Sequence, residues 1–228
     1  MRRETSGPTA VDRRDLLARH GGGGPLTRTL SQPAASVLGA TYVRRGWSAN
    51  SASLMAITIS LAGSAAFAFG AELAVICGWL LWQSGYLFDC ADGQIARYTN
   101  TTSEGGKRLD VTLDLIGHTA IGVSVGYVAL ERQADLLPVL AFVATRTLAT
   151  TLASSVPRSG AKRTSLPSAA KGLVSDFPFQ TSVIAVSCLL FESHALSVCL
   201  LLLLAIALGQ AASAVRQSLR HSPAAGQA

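Results

Sequence analysis

The sequence predicts an all-α integral membrane protein with six transmembrane helices and a short N-terminal helix at the membrane interface. Hydrophobic residues make up 49% of the 228 positions and charged residues only 14%, which is too apolar for an ordinary soluble domain. Six apolar stretches are separated by polar links. Lysine and arginine are concentrated in alternate links, as the positive-inside rule predicts for a protein with several spans.

The N-terminal region divides into two parts. Residues 1–33 are polar, rich in arginine and contain a GGGGP run, which predicts a disordered cytoplasmic tail. Residues 34–47 place Tyr42 and Arg45 at helical spacing and end at Trp47, which predicts an amphipathic helix in the interface with Trp47 as its anchor. A loop that leads into the first span is the alternative.

The remaining chain is expected to form one transmembrane domain over residues 48–216, followed by a cytoplasmic tail at 217–228. The second apolar stretch is expected to continue as helix through Arg97. Asn50 is expected to cap the first span or to lie near a bound nucleotide. The six expected spans are 52–70, 73–88, 111–130, 136–155, 179–191 and 195–215.

The charge distribution predicts the orientation of these spans. Of the 19 lysines and arginines, all but Arg132 and Arg146 fall before the first span, between the second and third spans, in the loop 156–178 or after the sixth span. These segments lie on the same side of the cell membrane. We therefore expect both termini and the turn between the second and third spans to face the cytoplasm. The net charge of +6 favours anionic lipid headgroups rather than nucleic acid as partners, because the arginines are not interleaved with aromatic residues.

A group of carboxylates lies between the second and third spans. At helical spacing, Asp89 and Asp92 share one face of the second helix, and Asp110 and Asp114 share a face of the third. The residues between, 98–105, are rich in threonine, asparagine, serine and glycine, which predicts a turn. The full pattern is Asp89-x2-Asp92-Gly93-x2-Ala96-Arg97-x8-Gly106-x3-Asp110-x3-Asp114.

Two antiparallel helices would direct these four carboxylates into a common space. Their mutual repulsion favours bound cations, and oxygen ligands in this number favour Mg²⁺, Mn²⁺ or Ca²⁺ rather than zinc. Balancing four negative charges requires two ions. A solvated helix end that binds nothing is the alternative.

The other motif residues point to phosphate. Gly93 and Ala96 leave a strip beside the carboxylates where a bulky group can approach the backbone. Gly106 is expected to let the third helix come close to the second. Arg97 can fork onto phosphate oxygens. Together these features predict a pyrophosphate-bearing substrate and a displacement at phosphorus that metal ions assist.

The pattern resembles the signature of the class I CDP-alcohol phosphotransferases (CDP-alcohol phosphatidyltransferases), integral-membrane enzymes of phospholipid headgroup synthesis. Every defining position matches. The resemblance implies a homodimer and an Mg²⁺ or Mn²⁺ pair held by the four aspartates. It also implies that Asp114 takes the proton of the acceptor hydroxyl. The residues that it implies border the CDP moiety are Gly93, Ala96, Arg97 and Gly106.

The resemblance further implies transfer of a phosphatidyl group from a CDP-linked lipid, CDP-diacylglycerol above all, to an alcohol with release of CMP. Four basic residues are candidates for binding a phosphate on the acceptor, which favours a phosphorylated polyol such as inositol phosphate or glycerol phosphate. A structural ion pair and charges that set the topology are the alternatives for them. These residues are Arg146 in the fourth span, and Arg158, Lys162 and Arg163 in the following loop.

Two further alternatives remain at this point. His118, one turn after Asp114, could support that aspartate or simply pack in the bundle. The alternative function is a membrane carrier for divalent cations with the aspartates as its transport site. A carrier would be expected to place its acids near the middle of the membrane, in broken helices.

Overall fold

We describe the chain from a computed structural model. The residues that the structure describes are 11–133, 137, 140–141, 144, 172–173, 176–190, 198, 201, 205, 208–209 and 212. Over these residues the fold is all-helical, with no strand, which confirms the predicted class. The helices are α1 (Arg13–Ala18), α2 (Gln32–Arg44), α3 (Ala49–Ala68), α4 (Glu72–Tyr98), α5 (Glu104–Glu131) and α6 (Phe177–Leu190), and a π-helical turn, Thr27–Ser31, precedes α2.

In the part of the chain that the structure describes, three helices are long and apolar enough to cross a membrane, namely α3, α4 and α5, with 20, 27 and 28 residues. A helix of 20 residues spans about 30 Å, the thickness of the hydrocarbon core. The helix α6 corresponds to the fifth expected span, 179–191, and is shorter than the other three. The expected fourth span, 136–155, and the sixth, 195–215, lie almost entirely outside the described residues, as does the tail 217–228.

Close backbone approach joins α3 to α4. A methyl group added to Gly78 would lie 2.7 Å from the backbone nitrogen of Phe67, so only glycine fits there. Small residues at a helix interface allow this approach in membrane proteins. Next to it, the Trp82 ring stacks on Phe67 with centroids 4.5 Å apart, and its indole nitrogen donates to Ser64 at 3.1 Å. This contact fixes the register between α3 and the helix that carries Asp89 and Asp92.

A second apolar cluster holds α2 against the other end of α4. Tyr42 and Ala35 of α2 are buried together with Ala91 and Ile95 of α4. The α2 helix therefore lies beside the same stretch of α4 that carries the aspartates.

A helix is present where the interfacial helix was expected, since α2 covers most of residues 34–47, and its place at a membrane interface stays a prediction. Trp47 follows α2, is half exposed, and makes an edge-on contact with Tyr42 at 5.0 Å between ring centroids. The guanidinium of Arg45 covers the Trp47 ring at 5.0 Å. The next helix, α3, is capped by the side chain of Ser48, which accepts from the backbone nitrogen of Ser51, so Asn50 is not the capping residue.

The N-terminal region differs from the expectation of a disordered tail, because the structure describes residues 11–33 as packed on the bundle. Leu16 of α1 is fully buried, and Arg44 donates to the backbone oxygen of Val11 at 3.2 Å. The glycine run that suggested flexibility has a different role. Gly22 and Gly23 adopt φ values of +99° and +120°, which other residues rarely adopt.

A buried carboxylate fixes the start of the helix that leads into α2. Asp176, only 2% exposed, precedes α6 and accepts hydrogen bonds from both the backbone nitrogen and the hydroxyl of Thr27. The Thr27 hydroxyl also lies 2.9 Å from the Tyr86 hydroxyl of α4. The network thus ties the N-terminal region to α4 and α6 at once.

Candidate active site

The candidate site is built from the facing ends of α4 and α5. Asp89 and Asp92 lie in the C-terminal half of α4, and Asp110 and Asp114 lie in the first half of α5. The 27 residues of α4 extend over about 40 Å, longer than the hydrocarbon core, so the helix has room to carry charge beyond the core. The turn between the helices contains Asn100 with a φ of +54°, in the left-handed region that asparagine tolerates.

The structure brings three of the four aspartates together. One carboxylate oxygen from each of Asp89, Asp92 and Asp110 lies within 4.8 Å of the others. Asp92 is buried, Asp89 is half-buried and Asp110 is exposed, so the cluster opens outwards from the bundle. Asp114 is half-buried and lies on α5 one turn after Asp110.

This donor set fits hard divalent cations. Three carboxylates offer up to six oxygen ligands, with no cysteine or histidine in the group. Oxygen-only sets of this kind suit Mg²⁺, Mn²⁺ or Ca²⁺. Three like charges at this separation repel one another strongly, and a cation between them removes the repulsion.

The sequence interpretation missed a fifth polar residue in the cluster, Ser53 of α3. Its hydroxyl donates to Oδ2 of Asp92 at 2.5 Å. Ser53 reaches Asp92 because the close packing of α3 on α4 places the two side chains side by side. Only the tertiary contact reveals this bond, since Ser53 lies 39 positions before Asp92.

The two aspartate-bearing helices, α4 and α5, both pack on α3, and α4 also packs on α2 and α6. Gly106 was expected to allow close approach of the two helices, but among the described residues a methyl group there would meet only the hydroxyl of Ser103, at 3.2 Å. Gly106 belongs to the first turn of α5, where Ser103 caps the helix.

Arg97 lies one turn beyond Asp92 and folds back along α4. A methyl group added to Gly93 would lie 3.0 Å from Nη2 of Arg97, so the glycine leaves room for the guanidinium. The Nε atom of Arg97 donates to the backbone oxygen of Arg19. Ala96, half-buried, lies next to Arg97 on α4. The strip that Gly93 and Ala96 were expected to clear is thus lined by Arg97.

The remaining candidates are placed as follows. The imidazole of His118 packs edge-on against Phe177 at the start of α6, with 5.9 Å between ring centroids. The four basic residues considered for an acceptor phosphate lie outside the described residues: Arg146, Arg158, Lys162 and Arg163.

Sequence comparison identifies the family. The sequence model of CDP-alcohol phosphatidyltransferase matches residues 47–212, most of the chain and all of the aspartate motif. The chain belongs to the CDP-alcohol phosphatidyltransferase family. It is therefore a phosphotransferase of the membrane, and the alternative of a cation carrier is set aside. No curated protein matches the chain in sequence.

Solved structures of a Mycobacterium tuberculosis enzyme share the fold. Phosphatidylinositol phosphate synthase PgsA1 with CDP-DAG bound superposes with a TM-score of 0.64 at 18% identity, covering 85% of this chain and 98% of that one. The same enzyme in complex with manganese and citrate gives 0.64 at 19% identity, covering 85% and 93%. At 18–19% identity, this likeness shows that the two proteins share a fold.

Proposed function

We propose that this chain transfers a phosphatidyl group from CDP-diacylglycerol to an alcohol and releases CMP. The convergence of Asp89, Asp92 and Asp110 at the facing ends of two helices, within a family of CDP-alcohol phosphatidyltransferases, carries this proposal. The donor is further supported by the related fold of a phosphatidylinositol phosphate synthase, whose structure holds CDP-DAG.

Asp89, Asp92, Asp110 and Asp114 would hold two divalent ions, Mg²⁺ or Mn²⁺. Bound there, such ions supply charge neutralisation for the pyrophosphate and for the CMP that leaves. The presence of manganese in a structure of the related synthase supports the choice of metal. Ser53 fixes one oxygen of Asp92, which leaves the other oriented for a ligand.

The protein residues act on the donor and on the acceptor hydroxyl. Arg97 binds phosphate oxygens of the donor, with Gly93, Ala96 and Gly106 bordering the CDP moiety. Asp114 accepts the proton of the acceptor hydroxyl. The resulting oxygen forms a bond to the phosphorus that carries diacylglycerol, and the bond from that phosphorus to CMP breaks, so CMP leaves with the electron pair.

The acceptor is proposed to be a phosphorylated polyol, such as inositol phosphate or glycerol phosphate. The basic residues Arg146, Arg158, Lys162 and Arg163 support this choice, because their charges suit a phosphate-bearing acceptor. The related fold of an enzyme named for phosphatidylinositol phosphate synthesis favours it as well.

The enzyme is proposed to cross the membrane six times, as a homodimer, with both termini and the site on the cytoplasmic side. The concentration of lysine and arginine on one set of links supports this orientation. Cytidine nucleotides are available in the cytoplasm, which agrees with a site on that side. The homodimer rests on the family resemblance.

The proposal is tested by CMP release from CDP-diacylglycerol in mixed micelles. Purified protein is offered glycerol phosphate, inositol phosphate, inositol and serine, each with Mg²⁺, with Mn²⁺ or with chelator. We expect CMP release with at least one phosphorylated acceptor, dependent on the metal and lost in Asp114→Asn. The matched control, Asp15→Asn, changes an exposed carboxylate of α1 and is expected to keep full activity. No metal-dependent CMP release with any acceptor would overturn the proposal.

A further inference from the structure

The N-terminal segment that connects α1 to the helix before α2 contacts the arginine of the family motif. Residues 19–24, named the strap here, have the sequence Arg-His-Gly-Gly-Gly-Gly. A methyl group added to Gly21 would lie 3.4 Å from Nη2 of Arg97, so the strap lies directly on the guanidinium. Arg97 is therefore contacted both by its own helix, at Gly93, and by a segment that includes Arg19, 78 positions earlier in the chain.

Arg19 and Arg97 exchange two hydrogen bonds. The Nη1 atom of Arg19 donates to the backbone oxygen of Arg97 at 2.8 Å, and Nε of Arg97 donates to the backbone oxygen of Arg19. The Arg19 guanidinium also lies over the Tyr98 ring, 5.5 Å from its centroid. The last carbonyl groups of a helix have no partner within it, and a cation there is favoured by the helix dipole. The Arg19 side chain thus donates to a backbone carbonyl at the C-terminal end of α4. The backbone carbonyl of Arg19 in turn orients the Arg97 side chain.

The strap is anchored on both sides of this contact. Before it, Leu16 is fully buried, and a methyl group on Gly39 of α2 would lie 3.5 Å from its side chain. After it, a methyl group on Gly24 would lie 2.5 Å from the Asp176 carboxylate, which holds Thr27. Anchors at both ends reduce the freedom of the six strap residues, so the Arg19 carbonyl keeps a fixed position.

The engaged Nε atom has a consequence for substrate binding. A guanidinium carries five N–H groups, of which one is on Nε. With Nε bonded to Arg19, the guanidinium is held between Gly93 of its own helix and Gly21 of the strap. We propose that Arg19 is a positioning residue: the strap holds the Arg97 guanidinium in the position from which it binds the donor pyrophosphate. The inference rests on the proposed role of Arg97 in donor binding.

The test measures the affinity of purified full-length protein for CDP-diacylglycerol in mixed micelles with Mg²⁺ and no acceptor. Arg19→Gln is expected to raise the dissociation constant roughly five- to twentyfold, the range for losing the orientation of one charged hydrogen-bonding group. Arg19→Lys keeps a donor for the Arg97 carbonyl and is expected to recover most of the affinity. The matched control, Arg13→Gln, removes the same charge from an exposed position of α1 and is expected to leave affinity unchanged.

A double-mutant cycle separates positioning from general structural damage. If Arg19 acts through Arg97, Arg19→Gln has no further effect on donor affinity once Arg97→Ala is present. Fully additive effects would overturn the proposal. Gly21→Val provides a second variant with Arg19 intact, because its side chain displaces the guanidinium. It is expected to weaken donor binding while the thermal midpoint stays within the range of Arg13→Gln.

The outcomes distinguish this inference from the proposed function. If Arg97→Ala weakens donor binding but Arg19→Gln and Gly21→Val do not, the strap inference is overturned and the role of Arg97 stands. If Arg97→Ala leaves donor affinity unchanged, both the role of Arg97 and the strap inference are overturned. Metal-dependent CMP release, measured separately, still decides the reaction.

Discussion

Ser53 donates a hydrogen bond to Oδ2 of Asp92 across the interface of α3 and α4. The bond connects the most buried member of the aspartate cluster to a helix that carries no aspartate of its own. A hydroxyl donor on one carboxylate oxygen fixes the rotation of the carboxylate and leaves the second oxygen to bind a cation. Ser53 therefore orients a carboxylate of the proposed metal site.

Removing this hydroxyl should weaken metal binding. Ser53→Ala is expected to lower Mn²⁺ affinity about 10- to 100-fold, the usual range for a residue that orients a ligand, whereas Ser53→Thr keeps the hydroxyl and most of the affinity. Titration of Mn²⁺ followed by electron paramagnetic resonance measures this. Thr58→Val is the control, since Thr58 is exposed and bonds only the Leu54 carbonyl of its own helix in the described structure. Equal affinities for Ser53→Ala and Thr58→Val would contradict the role.

The aspartates themselves should be more sensitive. Asp89→Asn and Asp110→Asn are each expected to lower the rate of CMP release by about two to three orders of magnitude, because each removes a ligand from a site that neutralises phosphate charge. Chelation of the wild-type protein should stop CMP release, and added Mg²⁺ or Mn²⁺ should restore it. Glu104→Gln changes an exposed acid in the first turn of α5 and serves as the control. A rate within threefold of wild type in either aspartate variant would remove that residue from the site.

Gly93 tests the placement of Arg97. In Gly93→Ala the new methyl group would lie 3.0 Å from Nη2, so the guanidinium must shift. The expected result is donor affinity weaker by about tenfold, comparable to losing one orienting contact, with little change in thermal stability because a flexible side chain can move. Gly105→Ala, whose methyl group would be 4.0 Å from the nearest atom, is the matched control. Unchanged donor affinity would separate Gly93 from Arg97.

The α3–α4 interface should tolerate no enlargement. Gly78→Val places a side chain against the Phe67 backbone and is expected to cost roughly 1–3 kcal/mol. The expected decrease in Tm is about 2–4 °C for each kcal/mol. Thermal unfolding in detergent measures it, with Gly105→Val as the control, because a methyl group on Gly105 would make an ordinary contact, 4.0 Å from the Ser103 hydroxyl. If both variants unfold at the same temperature, the interface is looser than the structure indicates.

The buried bond of Thr27 to Asp176 should also contribute to stability. Thr27→Val leaves the Asp176 carboxylate with one donor fewer in a buried position and is expected to cost about 1–3 kcal/mol. Thr29→Val, two residues later, loses only an exposed bond to the Pro25 carbonyl and provides the comparison. Differential scanning fluorimetry of both variants, side by side, gives the difference. A Thr27→Val midpoint equal to that of Thr29→Val would show that the network adds no stability.

The features that were predictable from the sequence are those with a local pattern. The aspartate spacing places its residues on common helix faces, and the expected continuation of the second span is confirmed, because α4 runs unbroken to Tyr98. The all-helical class is confirmed too. Residues outside the described part of the chain leave the number of spans and the basic loop as predictions.

The features that were not predictable depend on distant contacts. A run of four glycines is compatible with a flexible tail or with a backbone that needs positive φ, and only the packing against Arg97 and Asp176 selects the second. In the sequence, nothing distinguishes Ser53 from other serines near the start of an apolar span. Its bond to Asp92 is visible only when α3 is packed on α4. Gly106 suggested a close helix contact, but it lies in the first turn of α5, where the neighbour that the structure describes is the capping residue Ser103.

One unbroken helix, α4, contains both the apolar span and the residues Asp89 and Asp92. The distance of these two aspartates from the apolar part of the helix is therefore determined by the number of residues between them. One residue inserted after Trp82 would rotate both aspartates by about 100° away from Asp110, whereas removing a whole turn would keep their direction and draw them about 5 Å towards the tails. The length of α4 thus determines how deep in the membrane the proposed site would bind a lipid phosphate.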